Sequence, residues 1–175
     1  MKGERTVQRI LIVVDMQGDF VDGSLGSPEA RAIVPAGVEK VRAHAGPVIF
    51  TRDTHSPDYP HTQEGRRLPV AHCVAGTEGW QIVPELRDYA VDVVDKPTFG
   101  STALAERLRA MADDIEGIEV IGLCTDICVV SNALLLKAFM PEVPIAVDSR
   151  CCAGVTPEKH LAALETMRSC QIEVI

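Results

Sequence analysis

The stretch "VIGLCTDICVVSNALLLKA", residues 120–138, joins two kinds of pattern. It completes an Ile- and Val-rich run, "GIEVIGLCT" (117–125), of strand length. It then enters "DICVVSNALLLKAFM" (126–140), apolar nearly all round, as a helix buried on more than one side would be. A strand leading straight into a helix is a βα unit, and the rest of the chain repeats it. "RILIVVD" (9–15), "GPVIFTRD" (46–53), "AVDVVDK" (90–96), "PIAVDS" (144–149) and "QIEVI" (171–175) are five more such runs. Near-continuous Val and Ile suit strands covered on both faces, as in a parallel sheet. Helical spacing falls between them. "PAGVEKVRAHA" (35–45) places Val38, Val41 and Ala45 on one face, and "STALAERLRAMADD" (101–114) does the same with Leu104, Leu108 and Met111. "TPEKHLAALETMRSC" (156–170) opens on Thr156 as N-cap with Pro157 behind it, and sets Leu161, Leu164 and Met167 in line. The alternation predicts an α/β fold: three layers, a six-stranded, mostly parallel sheet with helices on both faces, and a single domain over residues 1–175.

Composition narrows the class. Of 175 residues, 46% are apolar and 24% charged, as in soluble globular proteins. No apolar stretch nears the roughly 20 residues of a membrane span, so no membrane partner is expected. The charged start "MKGERTVQRILIVVD" lacks a leader cleavage pattern, which implies a cytoplasmic protein. The net charge of −8, with scattered basic residues apart from Arg66 and Arg67, argues against nucleic acid as a partner. The six cysteines (73, 124, 128, 151, 152 and 170) are expected reduced.

Residues 54–89 break the alternation with "THSPDYPHTQEGRRLPVAHCVAGTEGWQ" near their start. So long a loop in a compact domain is usually functional, and it follows the end of a strand, where open α/β sheets bind ligands. Three strands end in Asp15, Asp53 and Lys96, and a fourth leads to Cys128. In a parallel sheet all four meet at one edge. Asp53 and His55 point the same way on extended backbone. With His61 and His72 they make a candidate site for Zn²⁺, Mn²⁺ or Fe²⁺; surface histidines in a polar loop are the competing reading. His44 and His160 fall within helices and are expected to face solvent. Cys128 stands near a helix start, which favours a thiolate. Asp15 could serve as its base, Lys96 as its counter-ion and backbone N–H groups as an oxyanion site. A merely packed cysteine is the alternative, and Asp126 opposes a thiolate unless its carboxylate points away. The Cys124–Cys128 spacing is wrong for the usual redox pair. Adjacent Cys151 and Cys152 cannot easily chelate one ion. "DMQGD" lacks the second aspartate of an aspartyl phosphatase, and no Gly-rich phosphate loop follows the first strand.

Taken together, "ILIVVDMQGDF", "FTRDTH", "LPVAHCVAGTEG", "KPTFGST" and "IGLCTDICVVSNA" resemble, in order and over residues 9–175, the motifs of the isochorismatase-like cysteine hydrolases. The resemblance implies a catalytic triad of Asp15, Lys96 and Cys128, and a cis peptide between Leu123 and Cys124. It also implies an oxyanion hole from the N–H groups of Cys124 and Cys128. Asp53, His55 and His72 match the metal-ligand positions of the nicotinamidase branch, with His61 as an additional ligand. One divalent ion, zinc before manganese or iron, is therefore expected. Phe20, Leu68 and Phe99 are placed along the substrate pocket. Leu68 stands near where many nicotinamidases carry a Trp-Pro pair, and "KPTFGS" is closer to the isochorismatase style. The expected reaction is hydrolysis of nicotinamide to nicotinate and ammonia through a thioester. The alternative is hydrolysis of another small amide, carbamate or enol ether. A homo-oligomer, dimer or tetramer, is the general expectation.

Overall fold

The strands of this chain are apolar because their sheet is covered twice. In the computed structural model, which describes residues 7–175, Ile10 to Val14 of strand β1 (Gln8–Val14) are all at most 1% exposed. The remaining strands are β2 (Val48–Asp53), β3 (Val93–Lys96), β4 (Ile115–Leu123), β5 (Ile145–Ala153) and β6 (Glu173–Val174). They form one six-stranded sheet in the order β3-β2-β1-β4-β5-β6, and every pairing is parallel. Helices α1 (Gly18–Val21) and α2 (Pro28–Ala43) follow β1. The loop after β2 carries α3 (Gln63–Arg67) and α4 (Pro84–Arg87). Then come α5 (Thr102–Arg109), α6 (Val130–Phe139) and α7 (Pro157–Ser169). Helix α2 packs on β4 and β5 with α4 beside it, while α5, α6 and α7 lie side by side, so the three-layer expectation holds.

Some bounds differ from the sequence reading, for identifiable reasons. Helix α2 starts at Pro28 rather than Pro35, because the Ser27 hydroxyl accepts from the Ala30 N–H at 3.0 Å and Pro28 sits in the first turn. Pro35 is tolerated inside the helix on its exposed side, where the carbonyl it leaves without a donor meets water. The buried face is Ala30, Ile33, Val34, Gly37 and Val41, and Ala45 lies beyond the helix, exposed. In α7 the buried face is Ala163, Leu164 and Met167, and Leu161 is 63% exposed. Strand β5 runs on through the polar Ser149 and Arg150 to Ala153. Asp148 is buried there, paired with Lys40 at 3.0 Å and Arg150 at 2.9 Å. Among the described residues no helix is long and apolar enough to cross a membrane.

The strand order places the switch point between β1 and β4. Connections leave these two strands in opposite directions and open a crevice at their C-terminal ends, where ligands bind in open α/β sheets. Asp15 follows β1, and Asp53 ends β2 and pairs in register with Lys96 at the end of β3.

Candidate active site

Asp15, Lys96 and Cys128 meet in this crevice, all at most 4% exposed. The backbone of Asp15 turns into the left-handed region (φ 48°) as β1 ends. Its Oδ1 accepts from the Thr51 hydroxyl at 2.7 Å, and its Oδ2 lies 2.6 Å from Lys96 Nζ. Lys96 Nζ also donates to the Thr98 carbonyl at 3.0 Å and contacts Cys128 Sγ at 3.5 Å. Burial pushes up the Asp15 carboxyl and outweighs the Lys96 charge. Burial, reinforced by the Asp15 charge, likewise holds the Cys128 thiol well above the ordinary range. Lys96 is shifted the other way: burial would lower it, but Asp15, Cys128 and Asp53 raise it, so it stays charged. One cation in contact with both groups can stabilise the anion of either, the arrangement a cysteine and its base need.

Cys128 is carried on an irregular turn. Thr125–Val129 is a single turn of π-helix leading into α6, a feature frequent at functional sites. The Ile127 and Val129 N–H groups donate to the Cys124 carbonyl at 3.1 and 3.0 Å, and the N–H of Cys128 lies between them at the helix start. The Leu123–Cys124 peptide is cis, as the resemblance implied. The Asp126 carboxylate points away from the sulfur and accepts from the Val155 N–H at 2.9 Å, which removes its objection to a thiolate.

A second cluster adjoins the first. Asp53, His55, Glu64 and His72 each offer a donor atom, and the four donors lie within 4.8 Å of one another. Local folding brings them there. The His55 N–H donates to the Cys73 carbonyl and the Ala75 N–H to the His55 carbonyl, both at 2.9 Å, so the far end of the loop is pinned beside β2. His72 Nδ1 is held by the Val70 carbonyl at 2.8 Å, which leaves Nε2 facing Asp53 Oδ2 at 3.6 Å; His55 Nε2 is 2.9 Å from the same oxygen. Burial would raise the Asp53 carboxyl, but the two histidines and Lys96 hold it below the usual range. The cluster fits a divalent ion. Four donors converge within 4.8 Å, and two imidazoles with two carboxylates are the donor set of Zn²⁺, Mn²⁺ or Fe²⁺.

The additional ligand expected at His61 is corrected. Its side chain is 79% exposed and contacts Asp58 at 2.7 Å, outside the cluster. Glu64 stands in the fourth place, because the Thr62 hydroxyl caps α3 and the first turn of that helix carries the carboxylate inward. His160 departs from expectation too: it is half-buried and its Nδ1 lies 2.8 Å from Thr125 Oγ1. His44 ends α2 with its ring against the Arg9 carbonyl.

Other positioning groups carry no signal in the sequence reading. Gln17 is fully buried; its amide donates to the Asp53 and Trp80 carbonyls at 2.9 and 2.8 Å and accepts from the Asp53 N–H at 2.7 Å. Asn132 donates to the Cys128 and Phe99 carbonyls at 2.8 and 3.0 Å and accepts from the Ser101 N–H at 2.9 Å. Tyr59 packs on both His55 and His72, its hydroxyl on the Leu68 carbonyl. Trp80 lies outside the cavity lining, its indole N–H on Thr54 Oγ1 and its ring under Arg52.

A cavity of about 470 Å³ opens onto both clusters, lined by Asp53, Glu64, His72, Cys124 and Cys128. Phe20, Leu68 and Phe99 line it, and Lys159 with Val155 completes the wall beyond Cys128.

These features define an α/β enzyme whose site is set at the strand ends. Residues 9–175 match the isochorismatase domain, and the chain belongs to the isochorismatase family of hydrolases. A nicotinamidase/pyrazinamidase of Mycobacterium tuberculosis is 29% identical, with 95% of this chain and 98% of that protein aligned. A crystal structure of the pyrazinamidase of Pyrococcus horikoshii in complex with zinc superposes with a TM-score of 0.81 at 29% identity, over 96% of this chain and 98% of that one. An N-carbamoylsarcosine amidase of Thermoplasma acidophilum does so with a TM-score of 0.74 at 30% identity, over 96% and 95%.

Proposed function

We propose that this protein is a metal-containing cysteine amidohydrolase that converts nicotinamide and water to nicotinate and ammonia. The observation that carries it is the contact of Lys96 Nζ with both Asp15 Oδ2 and Cys128 Sγ, in the cavity that also holds the four-donor cluster. Relatives named for nicotinamidase activity support the substrate class. Asp15 takes the Cys128 thiol proton, and Lys96 stabilises the resulting anion. The sulfur attacks the amide carbonyl, and the N–H groups of Cys124 and Cys128 hold the oxyanion. Asp15 returns its proton to the departing nitrogen, the C–N bond breaks, and ammonia leaves a thioester on Cys128. Water then enters, Asp15 accepts its proton, and the C–S bond breaks to give the acid. The thiolate regains its proton from Asp15. Asp53, His55, Glu64 and His72 would hold one divalent ion, zinc first, which when bound supplies a Lewis acid beside the cavity.

The test is nicotinamide turnover by the metal-loaded protein, followed by ammonia release. Cys128→Ala is expected to lower kcat on the order of 10⁴-fold or more. Wild-type turnover by that variant overturns the mechanism, and intact-mass trapping of an acylated Cys128 identifies the acyl group. Leu68 on the cavity wall, and the likeness to an N-carbamoylsarcosine amidase, favour a second reading. In it the enzyme cleaves another small amide or a carbamate with the same residues. A substrate panel that ranks nicotinamide below such a compound establishes it.

A further inference from the structure

The cavity has two chemically different ends. The donors Asp53, His55, Glu64 and His72 belong to the end of β2 and the loop behind it, and Cys128 follows β4. Gly154, Val155 and Lys159 follow β5 and line the same cavity. In the strand order, β2 and β5 stand three steps apart, about 14 Å at the usual strand spacing. An amide seated at Cys128 therefore has the acidic, metal-ligating end on one side and Lys159 on the other.

Lys159 is uncommitted. Lys96 is bound to Asp15, Lys40 to Asp148 and Lys137 to the Pro141 carbonyl. Lys159 is exposed, and its ammonium has no partner among the described residues. Two acids close to this segment are engaged elsewhere. Asp126 accepts from the Val155 N–H, and the Glu158 carboxylate turns back to its own backbone N–H and to Thr156, which holds it below the usual range. The start of the 13-residue α7 adds partial positive charge on the same side. At about 470 Å³ the cavity falls within the roughly 300–1,000 Å³ that takes a drug-sized ligand, more room than a single-ring amide needs. Leu68, Phe99 and Val155, each 38–47% exposed, line its wall with apolar surface.

We propose that Lys159 is a specificity-determining residue that selects carboxamides bearing a carboxylate on the side away from the metal-ligating cluster. The substrate class is then an amide acid: a carboxamide to be cleaved at Cys128, an apolar or aromatic body across the cavity, and an anionic group paired with Lys159. This rests on the amidohydrolase reading above.

The experiment compares nicotinamide with pyridinecarboxamides that carry a ring carboxylate, each ring isomer in turn, on metal-loaded wild type, Lys159→Met and Lys159→Arg. At low salt, wild type is expected to favour at least one carboxylated amide over nicotinamide by tenfold or more in kcat/KM, and added salt should erode that preference. Lys159→Met should lose at least tenfold more kcat/KM on the carboxylated amide than on nicotinamide, chiefly through KM. Lys159→Arg should keep most of the preference. Hydrolysis of nicotinamide with no preference for any carboxylated isomer, or equal losses on both substrates in Lys159→Met, overturns the assignment and leaves the amidohydrolase reading standing. Hydrolysis of neither amide overturns both.

Discussion

Cys124 and Cys128 lie four residues apart, and their surroundings give them different chemistry. Cys128 is buried against Lys96 and Asp15, which can take its proton and stabilise its anion. Cys124 has no such cation beside it among the described residues, and burial, with Asp126 and Asp15 nearby, pushes its thiol up to about 12. In the proposed mechanism it contributes a backbone N–H, which Cys124→Ala keeps. That variant is expected to stay within about fivefold of wild-type kcat, against the silence of Cys128→Ala, in the same steady-state assay. Equal losses would return the two cysteines to a shared role. Lys96 makes a stronger demand. It lies 2.6 Å from Asp15 and 3.6 Å from Asp53, with its side chain fully buried. Lys96→Met strands two buried carboxylates and is expected to cost about 3–5 kcal/mol in urea unfolding. Asp15→Asn combined with Lys96→Met should cost less than the sum of the single changes, because the charge is then removed with its partner. Additive losses would show that Lys96 acts mainly as packing.

At the scale of elements, the turn that carries Cys128 is held from two sides. Asn132 ties it to the 99–101 loop, the segment before α7 holds it through the Val155 N–H on Asp126, and α7 holds it through His160 on Thr125. Burial lowers the pKa of His160, against the pull of Asp126, so the ring is neutral at neutral pH and can share a hydrogen bond with the Thr125 hydroxyl. His160→Ala is expected to lower kcat on the order of tenfold with little change in KM, since it loosens the turn and leaves the cavity wall in place; an ångström of misplacement can cost ~100-fold. A loss confined to KM would overturn that role. These ties also mark where sequence stops being legible. The strand ends could be read because three Ile- and Val-rich runs stop at a charged residue and a fourth leads to Cys128, and parallel packing then gathers Asp15, Asp53, Lys96 and Cys128. Gln17, Thr51 and Asn132 could not, because a polar residue beside an apolar run looks like punctuation until its backbone partners are known. His61 and Glu64 show the same limit. They stand three apart in one loop, and the cap at Thr62, which opens α3, decides which one turns inward. Pro35 misled in the opposite direction, reading as a helix start when it lies on the wet side of a helix already formed.

At the scale of the whole molecule, the proposed metal cluster joins distant parts of the chain. Asp53 closes β2, while His55, Glu64 and His72 are spread along the long loop that reaches from β2 towards β3. The sheet fixes one donor; the loop must fold to supply the other three. An ion bound there would favour the folded loop over the unfolded chain and stabilise the protein by mass action, by about 2.7 kcal/mol at a hundred times its Kd. For a chain of this size that corresponds to a rise of roughly 5–10 °C in Tm. The measurement belongs on the Cys128→Ala protein, where no turnover complicates it. Zinc is expected to raise its Tm and a chelator to reverse the rise. Asp53→Asn and Glu64→Gln should shrink the shift, because each removes a charged donor. His61→Ala should leave it intact, because the exposed His61 ring is paired with Asp58 outside the cluster. A melting temperature indifferent to zinc would mean that the four donors hold one another by hydrogen bonds alone. The Asp15, Lys96 and Cys128 chemistry would then stand without an ion beside it.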